Sequence, residues 1–368
     1  MRRRGFFAAP LAAYQLAKAG SDERVYASGD GIPHTPDEYS RLLARLTAAG
    51  EVARDDYSRG GIVEKLEGRM AALLGKETAV WLPTGTLANQ LAVRLLAGTR
   101  RRVLVQAESH LYRDCGDCCQ NLSGLTLVPL GAGKATFTLA EVEEAAYQAS
   151  DGRVVTQVGA IQIETPVRRR TGERFDFGEL RKITTWARER HAGLHLDGAR
   201  LFLESAYTRR PVKEYTSMFD TVYVSLYKYF NAAAGAVLAG PASLLADLYH
   251  TRRMFGGGLP HVWPYAAVAL HYLEGFERRF QSAVSNAEQV IAALGADSNF
   301  ELRRVPNGTN IFQMRLTGVN APVYQGRLEA AGITARAPEG EWFNLQVNET
   351  WGRLPAAEIA ARFRRALT

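Results

Sequence analysis

The feature that most constrains this chain is an alternation. Short apolar runs at Ala79–Leu82, Val103–Gln106, Leu125–Pro129, Ala160–Glu164, Leu194–Asp197, Thr221–Ser225 and Ala236–Ala239 are separated by longer stretches, several with helical spacing. The helical patterns fall at residues 87–96, 139–149 and 177–191, with a weaker one at 212–218. A helix between two short buried strands returns the chain to the same edge of a sheet, which makes the strands parallel and covers both faces. The sequence therefore predicts an α/β fold with a mostly parallel sheet sandwiched by helices. Upstream, Leu42, Leu43 and Leu46, then Leu66, Met70, Leu73 and Leu74, predict helices over 39–49 and 61–74, each followed by a glycine.

Beyond Ser243 the texture changes. A glycine hinge, Gly256-Gly257-Gly258, leads to a long helix over about 264–294. Strand patterns follow at 311–315 and 342–347, with helices near 323–331 and 355–367, which reads as a smaller α+β domain. At 368 residues the chain exceeds what one core usually supports. The expected division is an N-terminal arm or export signal over 1–27, a large domain over 28–255 and a small C-terminal domain over 256–368. The segment just after the arm is expected to contribute to the small domain.

A net charge of +7 invites a nucleic-acid reading, but the arginine pairs are scattered from Arg100 to Arg365 and carry no nucleic-acid fold signature. They fit a basic surface with sites for small anionic ligands. No run approaches membrane-spanning length, so no membrane partner is expected. Cys115, Cys118 and Cys119 are too few and too clustered for a disulfide framework and lack a fourth zinc ligand. They read as buried thiols near a helix start, with no metal. At the N-terminus, Arg2-Arg3-Arg4-Gly5-Phe6-Phe7 precedes an apolar stretch and Ala17-Lys18-Ala19, the parts of a twin-arginine export signal. Pro10, Tyr14 and Gln15 interrupt it, which suits a packed arm equally, so localisation stays open between cytoplasmic and exported.

Three motifs carry chemistry. Pro83-Thr84-Gly85-Thr86 turns a strand into a helix whose free N–H groups attract a phosphate. Leu194-His195-Leu196-Asp197 delivers a carboxylate to a strand end, able to pair with a ring nitrogen, bind a metal or close a loop with Arg200. Tyr223 to Phe230 places Lys228 after an apolar strand among aromatics, where burial lowers an amine's pKa and frees it to attack a carbonyl; a snorkelling lysine would look the same. A phosphate turn, then an aspartate, then a lysine is the order a pyridoxal phosphate (PLP) site requires.

The chain resembles the threonine aldolase/β-eliminating lyase family of fold-type-I PLP enzymes. The likeness rests on Asp56-Tyr57-Ser58-Arg59-Gly60-Gly61 with Glu64 and Glu67, Leu74 to Glu77, Pro83 to Asn89, and Glu108 to Tyr112. It continues through His195 to Leu201, Ser225 to Gly235, Gly256 to Gly258 and Thr309-Asn310-Ile311. The resemblance implies that Lys228 holds PLP as a Schiff base, that Asp197 pairs with the pyridine nitrogen, and that His110 stacks on the ring and assists catalysis. It implies phosphate binding by Gly85 and Thr86, with Arg253 near the phosphate of a neighbouring subunit, and places Arg200 beside O3′ or the substrate carboxylate. A homodimer or homotetramer follows from the family as well.

The departures gather on the substrate side. Ser28-Gly29-Asp30-Gly31 replaces an Arg-Ser-Asp-Thr start, and Asn344 stands near the place of a carboxylate-gripping arginine. Leu259-Pro260-His261 replaces Met-Arg-Gln after the hinge, and Thr165-Pro166 replaces a Thr-His pair. An asparagine cannot reproduce a bidentate guanidinium. Ser28, Arg200, His261 and Asn344 are thus the candidate substrate residues for a small amino acid. The implied reaction is retro-aldol cleavage of a β-hydroxy-α-amino acid. The alternatives are β-elimination on another amino acid and a PLP-binding protein with a degraded substrate site.

Overall fold

A computed structural model of the protein describes residues 23–368, and nearly all of the segment read as an arm or export signal lies outside the described residues. In chain order the strands begin with β1 (Val25–Tyr26), β2 (Thr78–Leu82), β3 (Arg102–Gln106), β4 (Thr126–Leu130), β5 (Val158–Glu164) and β6 (Gly193–Asp197). They continue with β7 (Thr221–Ser225), β8 (Ala236–Gly240), β9 (Phe300–Arg304), β10 (Ile311–Leu316), β11 (Ile333–Thr334) and β12 (Trp342–Gln346). A seven-stranded sheet runs in the order β2-β8-β7-β6-β5-β3-β4. All neighbours from β4 to β7 pair in parallel, and only β8 runs against the rest. Strands β6 to β8 are buried at almost every position, which is why they read as unbroken apolar runs rather than as alternations.

Helices cover this sheet where the periodicity placed them. The helix Gly61–Leu74 buries Ile62, Val63, Leu66, Met70 and Leu74 and ends on Gly75 in the left-handed region at φ 62°. The predicted long helix over 264–294 is instead two, Trp263–Leu273 and Phe276–Gly295. Glu274 is extended and Gly275 sits at φ 69°, which breaks the axis although apolar spacing continues on both sides. The carbonyls freed at the break are taken by Arg279, whose Nη2 donates to Tyr272 O at 2.5 Å and whose Nη1 donates to Glu274 O.

A second, antiparallel sheet, β12-β10-β9, packs Phe300, Phe312, Met314, Phe343 and Leu345 inward, in one continuous core with Trp351 and Phe363. Strand β9 was not expected, and neither were β1 and β11, which pair in parallel as two-residue segments too short to show a period. The β1–β11 pairing is a separate two-stranded sheet at the start of the described chain. Ala27 and Tyr26 add hydrogen bonds to Gln346 N, at 3.0 Å, and Asn348 Nδ2, at 2.9 Å. Among the described residues no helix is long and apolar enough to cross a membrane.

Candidate active site

The carboxyl ends of the parallel strands converge on one cavity of about 510 Å³, within the range of small-ligand sites. Glu164 ends β5 and Asp197 ends β6, and the two are paired in register. Lys228 follows β7 by three residues, and His110 follows β3 by four. Ser109 caps the short helix His110–Arg113 by accepting from Tyr112 N at 3.3 Å, which fixes where His110 begins. The segment Ser28–Pro33 supplies another stretch of the wall. It is seated on the Lys228 loop, since Ile32 N donates to Asn231 Oδ1 at 2.7 Å and a Cβ on Gly31 would meet Lys228 O at 2.3 Å.

Lys228 is mostly withdrawn from water, and its Nζ lies 3.2 Å from Tyr227 OH and 4.4 Å from that ring's centre. Burial lowers its pKa, and the nearby Arg200 guanidinium lowers it further. Arg200 in turn is docked on Asp30, with Nε at 2.9 Å and Nη2 at 2.8 Å from the same Oδ2. Burial works to raise the Asp30 pKa, but the charge and hydrogen bonds of Arg200 outweigh it and hold the carboxylate below its ordinary range. Among the described residues Arg200 Nη1 is left for a ligand.

Asp197 is held from behind by a buried relay. Asn89 Nδ2 donates to Asp197 Oδ2 at 2.6 Å, and Ala199 N donates to Oδ1 at 3.1 Å. With its amide so oriented, Asn89 presents Oδ1 to His195 Nε2 at 2.8 Å, which requires the Nε2–H tautomer. His195 Nδ1 then accepts from Thr221 Oγ1 at 2.8 Å. Burial pushes His195 down to about 3, so the ring stays neutral.

His110 belongs to another group on the wall. Its backbone N–H donates to Glu164 Oε2 at 2.6 Å, while Arg168 N donates to Glu164 Oε1 at 2.9 Å. One buried carboxylate therefore ties together the helix start and the loop after β5. Burial and then the neighbouring Asp197 charge push Glu164 up to about 7. The His110 ring meets Asp114 Oδ2 through Nδ1 at 3.2 Å, and Arg168 Nη2 meets the same oxygen at 2.7 Å. A hydrogen bond donated to the Cys115 sulfur is the largest influence on His110 and raises its pKa against burial. Cys115, Cys118 and Cys119 are all buried free thiols, with Cys118 opening the helix Cys118–Ser123.

Gly85 and Thr86 lie behind this wall, at the start of the helix Gly85–Ala97, whose cap Thr84 accepts from Leu87 N at 3.2 Å. A Cβ on Gly85 would stand 2.0 Å from Tyr223 OH, so this helix start packs against Tyr223, a residue of the cavity wall, only because the side chain is absent. Thr86 Oγ1 is 3.7 Å from Cys115 Sγ. Of the predicted residues, the fold thus brings Ser28, His110, Asp197, Arg200 and Lys228 onto one cavity with Gly85 and Thr86 beside it. Three others lie outside it in the single chain. Arg253 is exposed and sits over Tyr57 at 4.5 Å, and His261 Nδ1 is 2.9 Å from Asp55 O. Asn344, in mid β12, accepts from Gln313 Nε2 at 3.0 Å, so its amide oxygen is engaged across the small sheet.

Asp30, Asp114, Glu164 and Arg168 carry much of the geometry and had no role assigned from the sequence. Glu164 gave the same signal as Asp197, a carboxylate closing an apolar run. Asp30 and Arg168 gave none, because their partners, Arg200 and Asp114, lie 170 and 54 residues away. The donor set suits PLP: an amine of lowered pKa, a firmly held carboxylate, a flat imidazole and a glycine-lined helix start are all present.

The family model described as "Beta-eliminating lyase" matches residues 40–317. A crystal structure from Exiguobacterium sp. 255-15, provisionally assigned as an aromatic amino acid beta-eliminating lyase/threonine aldolase, superposes with a TM-score of 0.77 at 28% identity, covering 94% of this chain and 97% of that one. The low specificity L-threonine aldolase of Escherichia coli K12 is 26% identical over 325 residues, 88% of this chain and 95% of that protein. The alanine racemase TOXG of Cochliobolus carbonum is 31% identical over 218 residues, 59% of this chain and 54% of that protein. The chain spans between 54% and 63% of the length of three curated relatives, the racemase and two yeast low-specificity L-threonine aldolases.

Proposed function

The chain belongs to the β-eliminating lyase family, and from that premise we infer that it is a PLP-dependent lyase that cleaves a β-hydroxy-α-amino acid between Cα and Cβ. The observation that carries this reading is the convergence of Lys228, Asp197 and His110 on one cavity at the carboxyl ends of three strands. The threonine aldolase among the relatives supports it.

Lys228 would hold the cofactor through its amine, which burial keeps easier to deprotonate. Asp197, steadied by Asn89 and Ala199, would face the pyridine nitrogen, and the N–H groups at Gly85 and Thr86 would take the phosphate. Bound there, PLP supplies an electron sink for the charge left on Cα when a bond to it breaks. Ser28 and the Nη1 end of Arg200 would bind the substrate carboxylate. His110 would take the hydroxyl proton at the ring nitrogen that Asp114 does not hold. Arg253, outside the cavity of its own chain, would serve a neighbouring subunit in a homodimer or homotetramer, which light scattering on the purified protein would count.

The test is an assay of the PLP-loaded protein with L-threonine, L-allo-threonine and phenylserine. Glycine with acetaldehyde or benzaldehyde supports the aldol reading. Ammonia with a 2-oxo acid supports elimination instead, and bound cofactor with no turnover supports a binding protein. Borohydride should fix the cofactor on Lys228; the label on another lysine refutes the assignment.

A further inference from the structure

We propose that the substrate carries an anionic side chain and that Arg168 selects it. The inference rests on the aldol reading above and adds the substrate class. With the amino group of a substrate placed beside Lys228 and its α-carboxylate on Ser28 and Arg200, its side chain would face the rest of the wall, where His110 and Arg168 stand. That part of the wall is basic. Among the described residues Arg113, Arg168 and Arg169 share the carboxylates of Asp114 and Glu108, His110 draws on Asp114 too, and the buried Glu164 behind them is turned to the backbone N–H groups of His110 and Arg168.

Arg168 is half exposed, with 49% of its side chain accessible, yet its backbone is anchored by the buried Glu164. The guanidinium is therefore reachable by a ligand while its base is fixed beside His110. Asp114 must serve Arg168 Nη2 at 2.7 Å, Arg169 Nη1 at 3.0 Å and His110 Nδ1 at 3.2 Å with two oxygens. That sharing leaves Arg168 donors for a second carboxylate. A methyl or phenyl group placed there would desolvate the cluster without replacing the lost hydrogen bonds, whereas a carboxylate would complete it.

The simplest substrate of this class is 3-hydroxyaspartate. Its Cα–Cβ bond breaks with the electron pair left on Cα, and the hydroxyl proton leaves as the C=O bond forms. A proton added at Cα gives glycine, and the other half departs as glyoxylate. No oxidant or reductant is involved.

The experiment compares kcat/KM of the PLP-loaded protein for threo- and erythro-L-3-hydroxyaspartate against L-threonine and L-allo-threonine, reading glycine. In parallel, calorimetry gives Kd for L-aspartate and L-2-aminobutyrate, which lack the hydroxyl and cannot be cleaved this way. Hydroxyaspartate should be favoured by about 10-fold or more, the worth of one charge-assisted pair. Arg168→Gln should lower the ratio of kcat/KM for hydroxyaspartate over threonine, and of affinity for aspartate over aminobutyrate, by about 10–100-fold, whatever it does to threonine turnover itself through the shared Asp114. Arg168→Lys, which keeps the charge, should retain most of the preference. Faster glycine release from threonine than from hydroxyaspartate, or a ratio unmoved by Arg168→Gln, overturns the inference and leaves the aldol reading standing. Glycine from none of the four compounds overturns both.

Discussion

Replacing Asn89 with Leu keeps the volume of a residue that is 0% exposed and removes both of its polar ends. Asp197 Oδ2 loses its 2.6 Å donor, and His195 Nε2–H loses its 2.8 Å acceptor. His195 and Asp197 are 0% and 1% exposed, so water cannot take over. An orphaned buried N–H costs about 1–3 kcal/mol and a hydrogen bond to a carboxylate is worth about 1.5–3 kcal/mol, so the loss should total about 3–5 kcal/mol. His195 cannot escape by taking up a proton, because burial holds it down to about 3. Urea unfolding of the cofactor-free variant at pH 7.5 reads the stability, and absorbance after dialysis reads PLP retention, which should fall because Asp197 is left, among the described residues, with the Ala199 N–H as its one donor. Thr221→Val removes only the far end of the relay and should cost about 1 kcal/mol, and the double variant should lose less than the sum. An Asn89→Leu protein destabilised by less than about 1 kcal/mol, with PLP retained as in the parent, would refute the relay.

Gly85→Ala should abolish PLP retention, measured by absorbance. Adding Tyr223→Phe should not restore it, since the new Cβ would still stand 2.4 Å from the ring carbon Cζ. Asp30→Asn leaves the Arg200 guanidinium, 13% exposed, without its counter-charge, and should lower stability by about 3–5 kcal/mol in urea unfolding. Because Asp30 has a lowered pKa, its contribution is present above the unfolded value and lost as pH falls through the folded one, so the gap between variant and parent should close toward acid pH. Glu204, 1% exposed, has the opposite sign: burial pushes it up to about 7. It stays protonated in the fold while the unfolded chain ionises, so the parent should lose up to about 3 kcal/mol against Glu204→Gln as pH rises from 4 to 8. A flat difference across that range in urea melts would refute it.

The alternation of strands and helices was legible because the central strands of the large sheet are buried on both faces, leaving runs such as Thr221–Ser225 with no polar interruption. Lys228, Asp197 and Gly85 were legible for a related reason: each follows or ends such a run, and strand ends are where ligands meet an open sheet. The small sheet was read less completely. Strand β9, Phe-Glu-Leu-Arg-Arg, alternates correctly but exposes Arg303 and Arg304, so it resembles a polar connection. The break at Gly275 was hidden because apolar spacing continues across it. On the substrate side the sequence could count what had been replaced but not what took its place. Asn344 pairs with Gln313, and the basic wall is assembled from Glu164, Asp114 and Arg168, residues joined only by the fold.

The segment Ser28–Pro33 is stapled at one end to β12, where Gln346 N donates to Ala27 O and Gly29 N donates to Gln346 Oε1, and at the other to the Lys228 loop. It also lies upstream of residues 40–317, the stretch by which the family is recognised. A descendant of this chain could therefore exchange the polarity of that wall, and with it the diet of the enzyme, while every position that earns it membership stayed the same. Grouping such proteins by what they eat calls for comparing residues 28–33, outside the matched stretch, rather than the strand ends around Lys228.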